Sequence, residues 1–437
     1  MGHLKIMFVV CNDAEARLIY PVWQELDKKT KVDITNISTG KISSEKTAME
    51  PEDVLKELGM PFKKLTDYKT LNVVRVLKAE QPNVLVVGGD QEYLRRSFVY
   101  AADGLGIPTL LLRLGISSNT ANTPRVAMKR TVYRLTHHFK NIIHKYLYLL
   151  RTVVVLRWNP YKILRMVLQD IWIAFSTDDA GGRFGCRAIA VAGSWEKQIL
   201  TERGVDLDKI IITGDPRLNF SSQIASRDSA TRLYRELGIN KGDKIILLLT
   251  SAQIEHGRWS QEMRARFIHG VIASLTPLLD GSVHLVVKIH PVENLEEYRE
   301  IIDPGENRVI LRKDLVLSDI INASDVVMTG GYSTTVLEAC ALRKPVILLN
   351  IFGEIEDIPY VGMGLVIGVY RLDELKNTVE KLLYNRSARA NFRHKAELFF
   401  NSNKEFVDGK AATRITDLIL KLAGLHQIPP RVRITKG

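Results

Sequence analysis

Cysteine is scarce in this 437-residue chain, and acidic residues are missing from one long stretch of it. The three cysteines, Cys11, Cys186 and Cys340, lie far apart and match no zinc or disulfide spacing, so a reducing compartment is expected. No apolar run reaches the roughly 18 residues of a spanning helix. The opening MGHLKIMFVVCND enters a strand directly, without the pattern of a secretory leader, and a cytoplasmic location is expected. The chain shows no internal repeat and no low-complexity segment.

The missing acids are as informative. The net charge is +12, and it is unevenly spread. From Gly104 to Gln169 there is no Asp or Glu, whereas Arg113, Arg125, Lys129, Arg130, Arg134, Lys140, Lys145, Arg151, Arg157, Lys162 and Arg165 all fall there. Within it, Met128, Val132, Leu135, Phe139, Ile142, Tyr146 and Leu149 recur every three or four residues, which predicts an amphipathic helix. Pro160 opens a second one that runs to about Phe175. An RNA surface, a protein partner and a membrane surface all fit basic amphipathic helices, as does simple packing on the chain's own sheet. The aromatics form no recognised RNA-binding module, so nucleic acid is set aside. Basic flanks with Trp or Tyr at the edges suit the headgroup layer of an anionic bilayer. The expectation is peripheral contact with the inner face of the cell membrane through Lys129, Arg130, Arg134, Phe139, Trp158 and Trp172.

The rest of the chain alternates. Apolar, β-branched runs such as LKIMFVV, PNVLVVGGD, IPTLLLRLG, KIILLLTSAQ and VHLVVKIHP read as strands, each followed by helical periodicity. Alternation of this kind predicts an α/β chain with parallel sheets covered on both faces. The turn-rich GDPRLNFSSQIASRDS marks a boundary between two doubly wound, Rossmann-like domains. The expected limits are 1–218, with the basic insertion at about 125–180, a linker at 219–229, a second domain at 230–405, and a C-terminal helix and tail at 406–437. Such domains bind ligands at the carboxyl ends of their strands, in a cleft that the two would share.

The most pointed stretch is Ser324 to Asn350, SDVVMTGGYSTTVLEACALRKPVILLN. It reads as a strand, a turn at Gly330 and Gly331, a helix opened by Ser333, Thr334 and Thr335, and a second strand after Pro345. A helix opening after a Gly-rich turn offers unpaired amides and partial positive charge to an anion. Glu338, one turn further in, is placed to accept from a sugar diol. Phosphate at the helix start with ribose against a carboxylate describes a nucleotide-diphosphate site; a merely capped helix is the plainer reading.

The order of motifs resembles the glycosyltransferase-B superfamily over most of the chain. The N-terminal half is similar to non-hydrolysing UDP-N-acetylglucosamine 2-epimerases. It carries CNDAEARLIYPVWQEL for their GTRPE turn, GGDQ at Gly88 to Gln91 for HGDT, GIPTLLLRLGISSNT for GIPV-HVEAGLRT, and ITGD at Ile212 to Asp215 for VTGN. The C-terminal half is closer to CDP-glycerol glycerophosphotransferases and polysialyltransferases, through KIHP at Lys288 to Pro291, GGYSTTVLEA and DGKAATRI at Asp408 to Ile415. The departures matter. The epimerase HVEAG carboxylate falls on Arg113, the PEE-type acids near Pro124 and Arg125, and the GTRPE arginine on Asp13, leaving Asp90 alone of the acidic set. Proton removal and return at a sugar needs those groups.

The resemblance therefore implies a metal-independent glycosyltransferase. It would move a sugar from a nucleotide donor, UDP-linked in this reading, to a lipid-linked acceptor, with no cofactor beyond the donor. A divergent epimerase and a non-catalytic subunit are the alternatives. Candidate donor contacts are Thr250, Ser251, Gln253, Arg258, Lys288, Gly330, Gly331, Ser333, Thr334 and Glu338, with His256 in the same loop as Arg258. Candidate catalytic groups are His290, facing the diphosphate, and Asp13 or Asp90 as base. Asp206-Leu-Asp208 reads as a solvated turn, not a metal motif.

Overall fold

A computed structural model of the chain describes residues 4–29, 32–42, 50–113, 124–175, 181–217, 227–255, 258–302, 308–331, 335–353 and 360–425. The strand–helix alternation resolves into two compact units. One comprises Met1–Ser117, Ala121–Arg217 and Asp408–Gly437; the other is chiefly Leu218–Val407.

Unit 1 is built in chain order from β1 (Leu4–Val10), α1 (Asp13–Asp27), β2 (Val32–Ser38), α2 (Pro51–Glu57), β3 (Phe62–Lys64), α3 (Val73–Glu80), β4 (Val84–Val87), α4 (Tyr93–Gly104), β5 (Thr109–Leu112), α5 (Pro124–Val155), α6 (Pro160–Phe175), β6 (Ala188–Val191), α7 (Ser194–Glu202) and β7 (Ile210–Ile212). Its parallel sheet has the order β3-β2-β1-β4-β5-β6-β7. Strands made only of Val, Ile and Leu require cover on both faces, and all four residues of β4 are buried. Met7, Val9, Leu85, Val87 and Leu111 face one side of the sheet. Ile6, Phe8, Val10, Val86 and Leu112 face the other.

Unit 2 follows as α8 (Arg227–Leu237), β8 (Lys244–Leu249), α9 (Gln261–Leu275), β9 (Val283–Lys288), α10 (Leu295–Ile301), β10 (Val309–Arg312), α11 (Leu317–Ala323), β11 (Val326–Thr329), α12 (Thr335–Ala341), β12 (Val346–Leu349), β13 (Ile367–Val369), α13 (Leu372–Tyr384) and α14 (Arg386–Ser402). Its parallel sheet has the order β10-β9-β8-β11-β12-β13.

The last helix, α15 (Ala411–Leu425), belongs to unit 1. Ile415, Ile419 and Leu422 pack on the β1 and β4 side of that sheet, with Leu18 and Val22 of α1. Burying those three side chains stabilises unit 1 by about 5 kcal/mol, an upper value because the unfolded chain already buries some apolar surface. Arg414 Nε donates to Thr213 O at 2.8 Å and fastens the start of this helix to the strand end beside β7.

Two short elements go beyond the sequence pattern. Strand β3 reads FKK, with one half-buried apolar residue and two exposed lysines, and carries almost no periodicity. Helix α10 reads LEEYREI and buries only Tyr298. Helix α5 also departs from regularity at His138, whose backbone (φ −128°, ψ 17°) is not helical.

Candidate active site

In an open parallel sheet, the crevice forms where chain connections from adjacent strands leave in opposite directions. In unit 2 the chain passes from β8 to β9 on one side, and returns to β11 on the other. The switch point therefore lies between β8 and β11. The residues after these strands are Thr250, Ser251 and Gln253 on one side, and Gly330 and Gly331 on the other.

Gly331 is tightly enclosed. A Cβ there would lie 2.5 Å from Gln253 Nε2 and 2.6 Å from Ser251 Oγ. Gln253 is buried; its Nε2 donates to Ser251 Oγ at 3.3 Å and to Gly330 O at 3.4 Å. Its Oε1 is buried and accepts no hydrogen bond among the described residues. An orphaned buried acceptor costs about 1–3 kcal/mol, so the site holds a group awaiting a donor. Gly330 is a glycine for another reason: the Phe267 ring lies 2.7 Å from where its Cβ would be. Neither glycine has positive φ, so each is required for space and not for backbone conformation.

Next to this crevice, the turn after β9 is held by a buried carboxylate that the sequence reading missed. Glu293 Oε2 accepts from the Thr250 hydroxyl, and from His290 N at 3.3 Å; its Oε1 accepts from Tyr298 Oη at 2.7 Å. Burial pushes the Glu293 carboxyl up, against the Thr250 and Tyr298 hydrogen bonds that pull it down. Thr250 Oγ1 in turn accepts from His290 N at 2.7 Å. The half-buried His290 accepts at Nδ1 from Val292 N at 3.3 Å. In the neutral ring the proton is then on Nε2, which makes that nitrogen a donor.

The other candidates take distinct places. Lys288 is buried, and its Nζ donates to Lys313 O at 3.3 Å; burial pulls its ammonium down. That lysine secures the end of β10 against β9. Arg258 is exposed, and its backbone N donates to Gln253 O at 2.8 Å. Glu338 is half-buried in α12. Ser333, Thr334 and His256 lie outside the described residues, as do the side chains of Lys129, Arg130 and Arg134.

Unit 1 has its own switch point, between β1 and β4. Asn12 caps α1 by accepting from Glu15 N at 2.8 Å, and leaves Asp13 half-buried in the first turn. Asp90 after β4 is buried, and its carboxylate accepts from Gly182 N at 2.9 Å and Phe184 N at 3.4 Å. Burial raises this carboxyl, opposed by those amides and by Arg113 and Arg96.

Two glutamates that the sequence reading did not single out repeat one device here. Glu15 Oε2 accepts from Cys11 N at 2.6 Å, and Oε1 pairs with Arg95 Nη2 at 2.7 Å. Glu196 Oε2 accepts from Ala192 N at 3.0 Å, and Oε1 from Arg113 Nε at 3.2 Å. Each is a Glu five residues beyond the last residue of a strand, turned back onto the first amide after it, four residues earlier. That i, i+4 placement after an apolar run is the signal that was available in the sequence. A Cβ at Gly88 would lie 2.4 Å from Glu15 Oε1, which explains the glycine there. Arg113, standing where the epimerase carboxylate falls, is thus the partner of a buried Glu.

Among the described residues no group of three or more His, Cys, Asp or Glu is arranged to hold a metal. Asp206, in the Asp206-Leu-Asp208 turn, accepts from Asp208 N at 3.1 Å.

Comparison with known proteins fits this geometry. The family model described as CDP-Glycerol:Poly(glycerophosphate) glycerophosphotransferase matches residues 190–421, more than half of the chain. A search among curated proteins by sequence finds no match. Among solved structures, a UDP-N-acetylglucosamine 2-epimerase superposes with a TM-score of 0.61 at 17% identity, covering 99% of each chain. The Neisseria meningitidis UDP-GlcNAc 2-epimerase bound to UDP-GlcNAc gives 0.60 at 16%, covering 96% of this chain and 100% of that one. The wall teichoic acid polymerase TagF gives 0.56 at 11%, covering 97% and 90%. At these identities the structures show a shared fold, of the glycosyltransferase-B type.

Proposed function

Because the chain belongs to the CDP-glycerol:poly(glycerophosphate) glycerophosphotransferase family, we propose that it is a transferase whose unit 2 holds a nucleoside-diphosphate donor at the β8/β11 switch point. The observation that carries this is the enclosure of Gly331 by Ser251 and Gln253, with the orphaned Gln253 Oε1 beside it. A ligand hydroxyl or base N–H satisfies that oxygen, and Ser251 Oγ adds a polar contact. His290 Nε2–H stabilises the charge that develops on the leaving phosphate. Thr250, Glu293 and Lys288 position the turns and do not touch the donor.

In our reading the transferred group is a sugar and the acceptor is lipid-linked. The acceptor oxygen attacks the anomeric carbon, the bond from that carbon to the diphosphate breaks, and the nucleoside diphosphate leaves. The acceptor proton goes to a carboxylate base. Asp13 is our base, because Asp90 is committed to the Gly182 and Phe184 amides, whereas Asp13 makes no hydrogen bond among the described residues. An acceptor that is already an anion needs no base.

The family's own description favours a second reading, in which glycerol phosphate is transferred from CDP-glycerol. Attack then falls on the phosphorus bearing the glycerol, the P–O–P link breaks and a nucleoside monophosphate leaves. The epimerase reading is supported by fold alone, and this chain has Arg113 and Arg125 where that chemistry's acids would fall.

The test is a thermal-shift screen of UDP, CDP, CMP, GDP, their sugar conjugates and CDP-glycerol, each with magnesium and with EDTA. A ligand at 100 times its dissociation constant adds about 2.7 kcal/mol. One nucleotide class should raise the melting temperature, and His290→Ala should abolish the rise. Release of diphosphate or monophosphate during turnover separates the two readings. Absence of any nucleotide effect overturns the proposal.

A further inference from the structure

The amino ends of β8, β11 and β12 lie side by side, because these strands are neighbours in the sheet of unit 2. The donor crevice is at the opposite ends of β8 and β11. Five residues of chain separate Asp325, before β11, from Gly330, after it, so at about 3.3 Å per residue the two edges are roughly 16 Å apart.

At the amino edge, cations outnumber acids. Asp325 is fully engaged: Lys244 Nζ donates to its Oδ1 at 3.0 Å, and Ile245 N donates to its Oδ2 at 3.1 Å. Lys344, just before β12, and Arg389 and Arg393 of α14 gather at the same place. Arg389 Nη2 stands 3.9 Å from Asp325 Oδ1, at the outer limit of an ion pair. Lys344 is half-buried, and its Nζ makes no hydrogen bond or ion pair among the described residues; nor does the exposed Arg393 guanidinium. Burial pulls the Lys344 ammonium down, and Arg389 and Arg393 push it the same way, against Asp325. The other acid at hand, Glu397, stands 3.9 Å from Arg343 Nε. With Lys244 neutralising Asp325, three cations are left over.

One of them has an ordinary use. Helix α12 ends three residues before Lys344, whose backbone N donates to Ala339 O at 2.9 Å, and a helix C-terminus favours a cation. The arginine pair has no such account. Arg389 and Arg393 are four residues apart on one face of α14, where like charges repel. A desolvated ammonium without an acceptor is costly as well. An anion held among the three removes both costs.

We propose that Lys344, Arg389 and Arg393 form a second anion site, at the far end of the unit 2 sheet from the donor crevice, and that it takes a phosphate dianion. Chemistry selects the ligand. A planar guanidinium pairs two N–H groups with two oxygens of one phosphate, and a lysine adds a point charge. A phosphate group with a charge of about −2 leaves the three surplus cations close to balance. The site goes beyond the transfer chemistry proposed above and does not depend on nucleotide binding.

The experiment is titration calorimetry of the full chain with inorganic phosphate and with glycerol phosphate, at an ionic strength fixed by chloride. At least one equivalent should bind that His290→Ala, at the donor crevice, leaves in place. Lys344→Gln, Arg389→Gln and Arg393→Gln should each weaken it about tenfold. Arg299→Gln, at an exposed and ion-paired position on α10, should not. Arg393 is exposed, so its variant should keep the parent melting temperature and nucleotide-induced shift, which separates failure here from failure of the donor site. Tighter binding of glycerol phosphate assigns the site to a phosphate carried on a larger molecule, and tighter binding of inorganic phosphate assigns it to the free ion. Absence of binding by both ligands overturns the proposal. So does binding that His290→Ala removes and Arg393→Gln keeps, which places the phosphate in the donor crevice. A glutamate-rich peptide that binds more tightly than either ligand, and is lost in the same three variants, overturns it too and makes the patch a protein-docking surface.

Discussion

Glu293 gives the sharpest test of how the donor side is held together. Its carboxylate receives three donors: the hydroxyls of Thr250 and Tyr298, and the His290 amide. Replacement by Ala leaves the Thr250 and Tyr298 hydroxyls without their acceptor in a buried place, whereas the His290 amide keeps Thr250 Oγ1 at 2.7 Å. Each orphaned donor costs about 1–3 kcal/mol, although the Thr250 hydroxyl can turn to Lys288 O, 3.4 Å away. The expected loss is about 2–4 kcal/mol. Replacement by Gln behaves differently. The His290 N–H cannot reverse its polarity, so the amide oxygen must face it and Thr250, and the amide nitrogen must face Tyr298. One charge-assisted bond is lost, about 1.5–3 kcal/mol, and relief from burying a carboxylate returns part of that. The net cost for Gln is about 1–2 kcal/mol. Urea denaturation of both variants measures these values, and nucleotide-induced thermal shifts report on the His290 turn. The Ala variant should lose nucleotide binding, while the Gln variant retains most of it. If Ala costs under about 1 kcal/mol, or no more than Gln, the carboxylate does not organise this turn and the reasoning fails.

Three further outcomes are expected. Gly331→Ala forces Ser251 and Gln253 apart; at about 1–3 kcal/mol of overpacking, nucleotide affinity should fall about 5- to 150-fold by titration calorimetry. Gly281→Ala, where a Cβ meets nothing within 4 Å, should change neither affinity nor melting. Burial pushes the Glu196 carboxyl from 4.5 up to about 7, against Arg113 and the Ala192 amide. A raised carboxyl holds its proton more tightly when folded, so its stability contribution is fully present below about pH 4.5 and is lost as pH rises to about 7. Glu196→Gln removes that loss: the variant should gain on the parent by about 2.5 kcal/mol between pH 5 and pH 8 in urea midpoints, and a flat difference refutes it. Asp170→Asn leaves the buried Arg96 cation without its anion and should cost about 3 kcal/mol in thermal or urea unfolding; a loss under 1 kcal/mol would mean the pair does not anchor α6.

The sequence by itself determined the parallel α/β architecture, because continuous Val, Ile and Leu runs separated by helical periodicity have no other soluble solution. It also located the crevice residues of unit 2. Thr250, Ser251, Gln253 and Gly331 each follow a strand, and strand ends are legible from composition. The acid-free segment was legible too, as a count. Tertiary structure decided the rest. That α15 returns to unit 1 depends on which sheet face lacks cover, and no local pattern records it. That Gly330 makes room for Phe267 while Gly331 makes room for Ser251 and Gln253 depends on neighbours far along the chain. Glu15 and Glu196 carry only an i, i+4 spacing as a sequence signal, and all three of Glu15, Glu196 and Glu293 become buried anchors because the folded strand ends present unpaired amides and hydroxyls to them. That α6 is a helix was legible from its opening proline and apolar content. Only the fold shows that Met166 and Asp170 take the inward face and leave Leu164, Leu168 and Trp172 in solvent, because a helix's buried side is chosen by what it packs against.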